Sequence, residues 1–400
     1  MLSWPSFLTA QESVKGGSPV ELVVQAENAA SVTSIAVSPD GRLLVTGTAA
    51  GNVILWDLVK GEKAREFPGH NGRITSTVLS RDGKLLVTGS YDGRAISWDT
   101  ATGKQLHTFS EGPGRVTSVA LSTDGNLLAT GTYGNKSLIL WNLNTGAELQ
   151  TFEGHEGYVS SVALSGGGRS VVAGFHNGTA IQWDTKTGMK TRTFAGHTSQ
   201  VRSLDLSDDN RYLVTGSHDQ TAILWEFSTG KKLRKFSGED GMILSVALSG
   251  DEKTLATGSY SSTARLWDLD TGKQKQAFQF QGDKTNVHFV ATNNKGRHLF
   301  TTSHGKPSSV WNIATGEELC QLISFEKSSD WLVITQDGRF DGSLGAMKHL
   351  FFRSPKQKSL IPIDQYEDDR TQGLLSLVLK NKTSKLAVPA GSSTPEGDPE

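Results

Sequence analysis

Through most of this chain apolar residues fall in short runs of strand length. Between about residues 31 and 325 one block recurs, with three segments rich in Val, Ile, Leu and Ala followed by a more polar fourth. In the third block the segments are 116–122, 127–132, 137–143 and 148–152, with turns at Asp124-Gly125 and Gly146. The first three are apolar-rich (Leu127-Leu128-Ala129; Leu138-Ile139-Leu140-Trp141), as expected of strands covered on both faces. The fourth (Glu148-Leu149-Gln150-Thr151) suits an outer edge.

Three markers keep the beat. Trp stands at 56, 98, 141, 183, 225, 267 and 311, at intervals of 42 to 44 residues, each time followed by Asp, Asn or Glu. Turn pairs recur at Asp40-Gly41, Asp82-Gly83, Asp124-Gly125, Gly167-Gly168, Asp209-Asn210, Asp251-Glu252 and Lys295-Gly296; Asp-Gly is a strong hairpin signal. Gly61, Gly103, Gly146, Gly188, Gly230, Gly272 and Gly316 follow the tryptophans. A lone sheet cannot hide two apolar faces. Sheets nested around a closed ring hide both, so the pattern predicts an all-β propeller.

The unit resembles the WD repeat. Gly69-His70, Gly154-His155 and Gly196-His197 match its opening dipeptide, and the Trp-Asp pairs match its end. The resemblance implies a structural hydrogen-bond network of His, acid, hydroxyl and Trp. His70, Asp92 and Trp98 fit it, as do His197, Asp219 and Trp225, while His155, Asn177 and Trp183 keep the spacing with Asn for Asp. The hydroxyl in the first set is either Thr88 or Ser90.

Seven units are plain, and the beat runs on. Asp337-Gly338 lies 42 residues beyond Lys295-Gly296, residues 350–352 read as a third strand, and Arg353 stands where an eighth Trp would fall. Residues 20–26 (VELVVQA) could supply the missing outer strand. Eight blades are therefore expected, closed by the N-terminal strand, with seven as the alternative. The expected division is a flexible arm at 1–19, the propeller at 20–353, a connector and short helix at 354–384 and a disordered tail at 385–400. The helix is placed at 371–382, where five Leu and Val residues share a face. The stretch from Trp331 to Arg353, with the Leu-rich segment after it, also resembles the closing module of some bacterial WD-repeat proteins. Several of those carry a caspase-like peptidase domain.

Apolar residues at 36% and charged residues at 20% permit a real core, and a formal net charge of −1 supplies no global field for nucleic acid or an anionic membrane. The single cysteine, Cys320, excludes a disulfide framework and a thiolate metal cluster and suits a reducing compartment. No secretory leader or 18-residue apolar span is read, so a cytoplasmic protein is expected.

No nucleophile elbow, HExxH or phosphate loop occurs, so no enzyme, metal site or cofactor is expected. His176, His218 and His304 come from different blades and could ring a central channel. The family resemblance places partner binding on the loops before the first strand and between the second and third. There the chain has Arg73, Arg115, Tyr158, Gln200 and Met242, then Tyr91, Tyr133, His176, His218, Tyr260 and His304, with Arg202 one residue into a first strand. Tyr, Arg and Met are enriched in interfaces. The expected function is a non-catalytic protein-interaction scaffold or sensor subunit, monomeric by itself within a larger complex. The alternatives are a regulatory subunit of a separately encoded effector, such as a caspase-like peptidase, and a small-ligand binder using the channel.

Overall fold

The structure, a computed structural model, describes residues 7–12, 20–25, 30–110, 112, 114–134, 137–155, 157–238, 240–280, 286–293, 296–303, 306–325, 330–335, 339–343, 346, 350–353 and 360–362. Each block forms an antiparallel sheet whose strands pair in chain order. Blade 1 comprises Val32–Val37, Leu43–Thr48, Val53–Asp57 and Glu62–Glu66. The inner strands of blades 2 to 7 are Ile74–Leu79, Arg115–Leu121, Val159–Leu164, Val201–Leu206, Ile243–Leu248 and Val287–Thr292. Each inner strand packs against the next, and Val287–Thr292 packs against Val32–Val37, which closes the ring at seven blades.

The apolar faces explain the closure. Second and third strands are buried almost throughout, whereas fourth strands alternate exposed and half-buried positions. One aromatic interrupts the polar edge. Phe67, Phe109, Phe152, Phe194, Phe236 and Phe278, each eleven residues after a blade's Trp, are fully buried. Each packs on the Trp of the following blade, with ring centroids 5.5 to 6.0 Å apart. Such a pair adds about 0.5–1.5 kcal/mol to the area it buries.

Close packing between blades also demands small residues. Gly47, Gly89, Gly131, Gly174, Gly216 and Gly258 lie in the second strands, and a Cβ on any of them would approach a Val or Ile of the next blade to within 3.0 Å. Hydroxyls add a polar clasp. The first strand of every blade carries a one-residue bulge. In blades 1 to 4 the bulged residue is Thr33, Thr75, Thr117 or Ser160. Each hydroxyl donates to the first-strand carbonyl of the next blade, as in Thr75 to Val116 and Thr117 to Val159, both 2.8 Å. Ser76, Ser118, Ser161, Ser203 and Ser245 accept the amide of the next blade's first strand at 3.1 to 3.2 Å.

The seam between blades 7 and 1 is built differently. Thr302 stands where the other second strands have Gly, Phe289 replaces the serine, and Leu322 replaces the Phe. Instead, Trp331–Ile334 and Phe340–Gly342 extend blade 7 outward as fifth and sixth strands. Trp331 then stands edge-on to Trp56 at 5.8 Å and 88°, the place a Phe takes elsewhere. Together with Leu322, Val333 and Cys320 it joins Ile35, Leu44 and Ile54 of blade 1 in one buried cluster. The Ala30 amide donates to the Ser324 carbonyl at 2.7 Å across the same seam.

The eight-blade expectation is therefore corrected. The continuing turn beat marks a real hairpin, with Ile334 opposite Phe340, but that hairpin adds to the edge of blade 7. Glu318–Ser324 is apolar for an outer strand, and its last three residues are buried, so it must be covered. Residues 20–25 do pair with 350–353, yet in a separate four-stranded sheet with Phe7–Glu12 and Leu360–Pro362, whose strands pair with no blade strand among the described residues. Phe7–Glu12, expected within a flexible arm, is thus a strand. The helix placed at 371–382 and the tail at 385–400 lie outside the described residues. No helix among the described residues is long and apolar enough to cross a membrane.

Two substitutions test this packing. Trp331→Ala should cost about 3–5 kcal/mol, as truncation of a buried aromatic does. Hydrogen exchange should quicken first in residues 32–37 and 287–292; uniform acceleration in all blades would contradict a local seam. Gly131→Ala, whose Cβ would lie 2.3 Å from Val159, should cost about 1–3 kcal/mol in urea denaturation. Gly167→Ala, which meets nothing within 4 Å, should change the midpoint little.

Candidate partner-binding face

The rim residues belong to cross-strand pairs. In blades 2, 5 and 6 the amide of the residue after the second strand donates to the carbonyl of the residue before the first: Tyr91 to Arg73, His218 to Gln200 and Tyr260 to Met242, at 2.8 to 3.0 Å. In blade 3 Arg115 and Tyr133 are register partners. Two side chains per blade therefore project at one end of the ring.

These pairs also reach between blades. Arg115 lies over the Tyr91 ring of the preceding blade at 4.9 Å. Tyr158 packs on Tyr133 at 4.0 Å and 31°, with His176 at 5.8 and 6.1 Å from the two rings. The amide of Gln200 meets the His176 ring at 3.0 Å. The result is an arc of stacked side chains from blade 2 to blade 5. The rim remains open to solvent: within the arc Tyr91 is 44% and Tyr133 41% exposed, and in blade 6 beside it Met242 is 43% and Tyr260 56% exposed. Packing between blades and presentation to solvent are thus properties of the same side chains. His304 lies outside the described residues.

Inside the arc, the seven inner strands enclose a channel of about 330 Å³. Its wall is mainly hydroxyl and aliphatic, and its charged side chains are Arg202 and Asp205. Arg202 occupies the bulge position that bears a clasping hydroxyl in blades 1 to 4. Its side chain is half-buried in the channel, and this partial loss of water is the main effect on its guanidinium, with Tyr91 and Arg73 acting on it as well. Burial and then the Arg202 charge hold His176 and His218 below the ordinary imidazole value, so both are neutral at pH 7. Asp205 sits deeper, where burial pushes its carboxyl up to about 6; it accepts the amides of Leu206 and Leu248 at 2.9 and 2.8 Å. Cys320 is buried in the seam cluster, which raises its thiol pKa and keeps it protonated. No three His, Cys, Asp or Glu side chains come together as metal ligands among the described residues.

Two of the three expected networks form. The His70 Nδ1–H donates to Asp92 at 2.9 Å. Its Nε2 accepts from the Thr88 hydroxyl at 2.8 Å, whose oxygen accepts the Trp98 indole N–H at 2.9 Å. Thr88, not Ser90, is thus the hydroxyl partner. His197, Asp219, Thr215 and Trp225 repeat this with the same distances. The third set does not assemble. Ala173 replaces the threonine, so Trp183 donates to the Glu153 carbonyl at 3.0 Å. His155 stacks on Phe175 at 4.8 Å, and Asn177 accepts from Thr179.

The Trp–Thr bond is more general than the network. Trp56, Trp141, Trp267 and Trp311 donate to Thr46, Thr130, Thr257 and Thr301 at 2.8 to 3.1 Å in blades without the histidine. The repeated Thr-Gly of the second strand was the available signal for it, as Phe eleven residues after each Trp was for the blade-to-blade stacking.

A seven-bladed ring of four-stranded units, the last extended by a hairpin, each with Trp in its third strand and two with the His–Asp–Thr–Trp network, is the architecture of WD-repeat propellers. The sequence profile of the WD domain, G-beta repeat, matches residues 21–57, 61–99, 103–142, 146–184, 188–226 and 230–268, more than half of the chain, and the chain belongs to that family. Compared with curated proteins, it gives no match.

Acid should loosen the two networked blades. His70 and His197 have pKa values lowered first by burial, against the raising effect of their aspartates. The unfolded histidines bind protons near pH 6.5 and the folded ones only at lower pH, so their contribution is full above that value and is lost as pH falls. Burial alone would raise Asp92, but the bonds from Arg94 and His70 bring it to about 2, so its share goes in the same direction below about pH 4. The unfolding midpoint should therefore drop between pH 7 and 5. The His70→Asn, His197→Asn double variant should be less stable at pH 7, by about 1–3 kcal/mol per site. Its slope over that interval should be shallower, and an unchanged slope would contradict the assignment.

Proposed function

We propose that the chain is a non-catalytic scaffold that binds partner proteins on the face formed by the rim arc. The observation that carries this reading is the exposure of Tyr91, Tyr133, Met242 and Tyr260 at one end of the ring, on backbone that the blades hold rigidly. Tyrosine offers large contact area and loses few rotamers, and arginine presents a fixed donor fork. Because Tyr133, Tyr158 and His176 are already stacked on one another, little ordering entropy remains to be lost on binding. Trp331–Ile334, part of the stretch that resembles peptidase-associated propellers, is used to close the ring, which supports a structural role for it and not a link to a particular effector.

Co-purification from native extract, read by mass spectrometry, tests the face. A Tyr133→Ala, Tyr158→Ala, Tyr260→Ala triple variant should lose partners that the native chain retains. Its unfolding midpoint should stay close to native, since losing one partly exposed aromatic pair costs about 1 kcal/mol. An undiminished partner set would reject the assignment of this face.

A further inference from the structure

Position 202 carries the one arginine among the seven first-strand bulges. There blades 1 to 4 place a hydroxyl that clasps the next blade, blades 6 and 7 have Leu244 and His288, and blade 5 has Arg202. Arg202 makes no ion pair with a carboxylate among the described residues, although it is drawn into the channel. Around it stand Arg73, the neutral His176 and His218, and Tyr91, so no anion in the surrounding cluster compensates it. The Nε2 of His218 is also buried without a hydrogen-bond partner. A desolvated cation is costly unless it is paired, and a guanidinium fork matches a carboxylate with two parallel hydrogen bonds.

We infer that the channel mouth around Arg202 receives the carboxylate side chain of an acidic segment of a partner protein, which Arg202 and Arg73 pair and the Tyr133–Tyr158 stack flanks. This rests on the proposed binding face and names the chemistry read there. A peptide fits better than a nucleic acid. Among the described residues, Arg94 and Arg265 at this rim are already paired with Asp92 and Asp240, which leaves Arg73, Arg115 and Arg202, too few for a run of phosphates, beside exposed Tyr and Met side chains. A peptide also explains why the cation is central and the apolar side chains lie around it, the arrangement of an anchoring contact with a surrounding seal.

The ring supplies its own folding-safe variant. Arg202→Thr installs the residue that Thr33, Thr75 and Thr117 show to be compatible with this position. Fluorescence anisotropy would follow a labelled eight-residue peptide with four glutamates, and the same peptide with glutamine at those positions, against the full-length chain. The native protein should bind the glutamate peptide at least tenfold more tightly than the glutamine peptide. Arg202→Thr should erase that preference while its melting temperature stays equal to native or rises. Arg202→Gln, which keeps the length of the side chain without its charge, should behave likewise. Absence of binding, equal affinity for the two peptides, or a preference that survives both substitutions would overturn the inference. Partner capture that still depends on Tyr133, Tyr158 and Tyr260 would then leave the wider assignment of the face standing.

Discussion

Everything in this ring depends on the covering of one blade's tryptophan by an aromatic from the blade before it. A sheet apolar on both faces is not stable alone in water. The Trp at the end of each third strand is the largest piece of that exposed surface. The Phe eleven residues after the preceding Trp covers it. The period of the sequence follows from this, because donor and acceptor of the contact must return at the same phase of every unit. The glycines of the second strands and the hydroxyl clasps of the first let neighbouring sheets approach closely enough for the contact to form. Cooperativity is inherent, since each interface serves two blades.

A ring made of chain-ordered blades has one interface with no covalent continuity. Propellers can close it by mixing strands from both chain ends in one sheet. Here every blade is drawn from one continuous segment, and closure is by side-chain packing and the Ala30–Ser324 backbone hydrogen bond. Three elements of the repeated interface are missing at the seam, at Thr302, Phe289 and Leu322. The extra hairpin supplies Trp331 and Val333 in compensation. The hairpin extends the apolar seam outward over Leu322 and Ile323, which is why the outer strand of blade 7 does not keep the polar character of its counterparts.

The propeller was legible because Trp and turn pairs recur independently of any single strand. The blade number was not, because a hairpin at the right phase looks the same whether it opens a new sheet or extends an old one. Only the apolar character of Glu318–Ser324 distinguishes the two, and it must be weighed against the polar fourth strands elsewhere. The networks at His70 and His197 followed from spacing. That at His155 failed because spacing does not register Ala173 in place of the threonine that joins His to Trp. The rim was legible as residue types, since Tyr, Arg and Met recur at two positions per unit. That these side chains stack from one blade to the next depends on the separation of neighbouring sheets, which no single unit contains.

The arc and the seam lie on opposite sides of the ring. Stacked rim residues run through blades 2 to 5, centred near blades 3 and 4, whereas the discontinuity falls between blades 7 and 1. Blades 1 to 4 are also the ones clasped to their successors by a bulge hydroxyl, so the arc stands on the most uniformly bonded part of the scaffold. The clasp stops where Arg202 begins. A hydroxyl there would bond to the first strand of blade 6, and Arg202 makes no such bond among the described residues. Exchange of a bonding hydroxyl for a charge without a carboxylate partner, at the end of the exposed arc, is the kind of local departure from the repeat that marks a binding position.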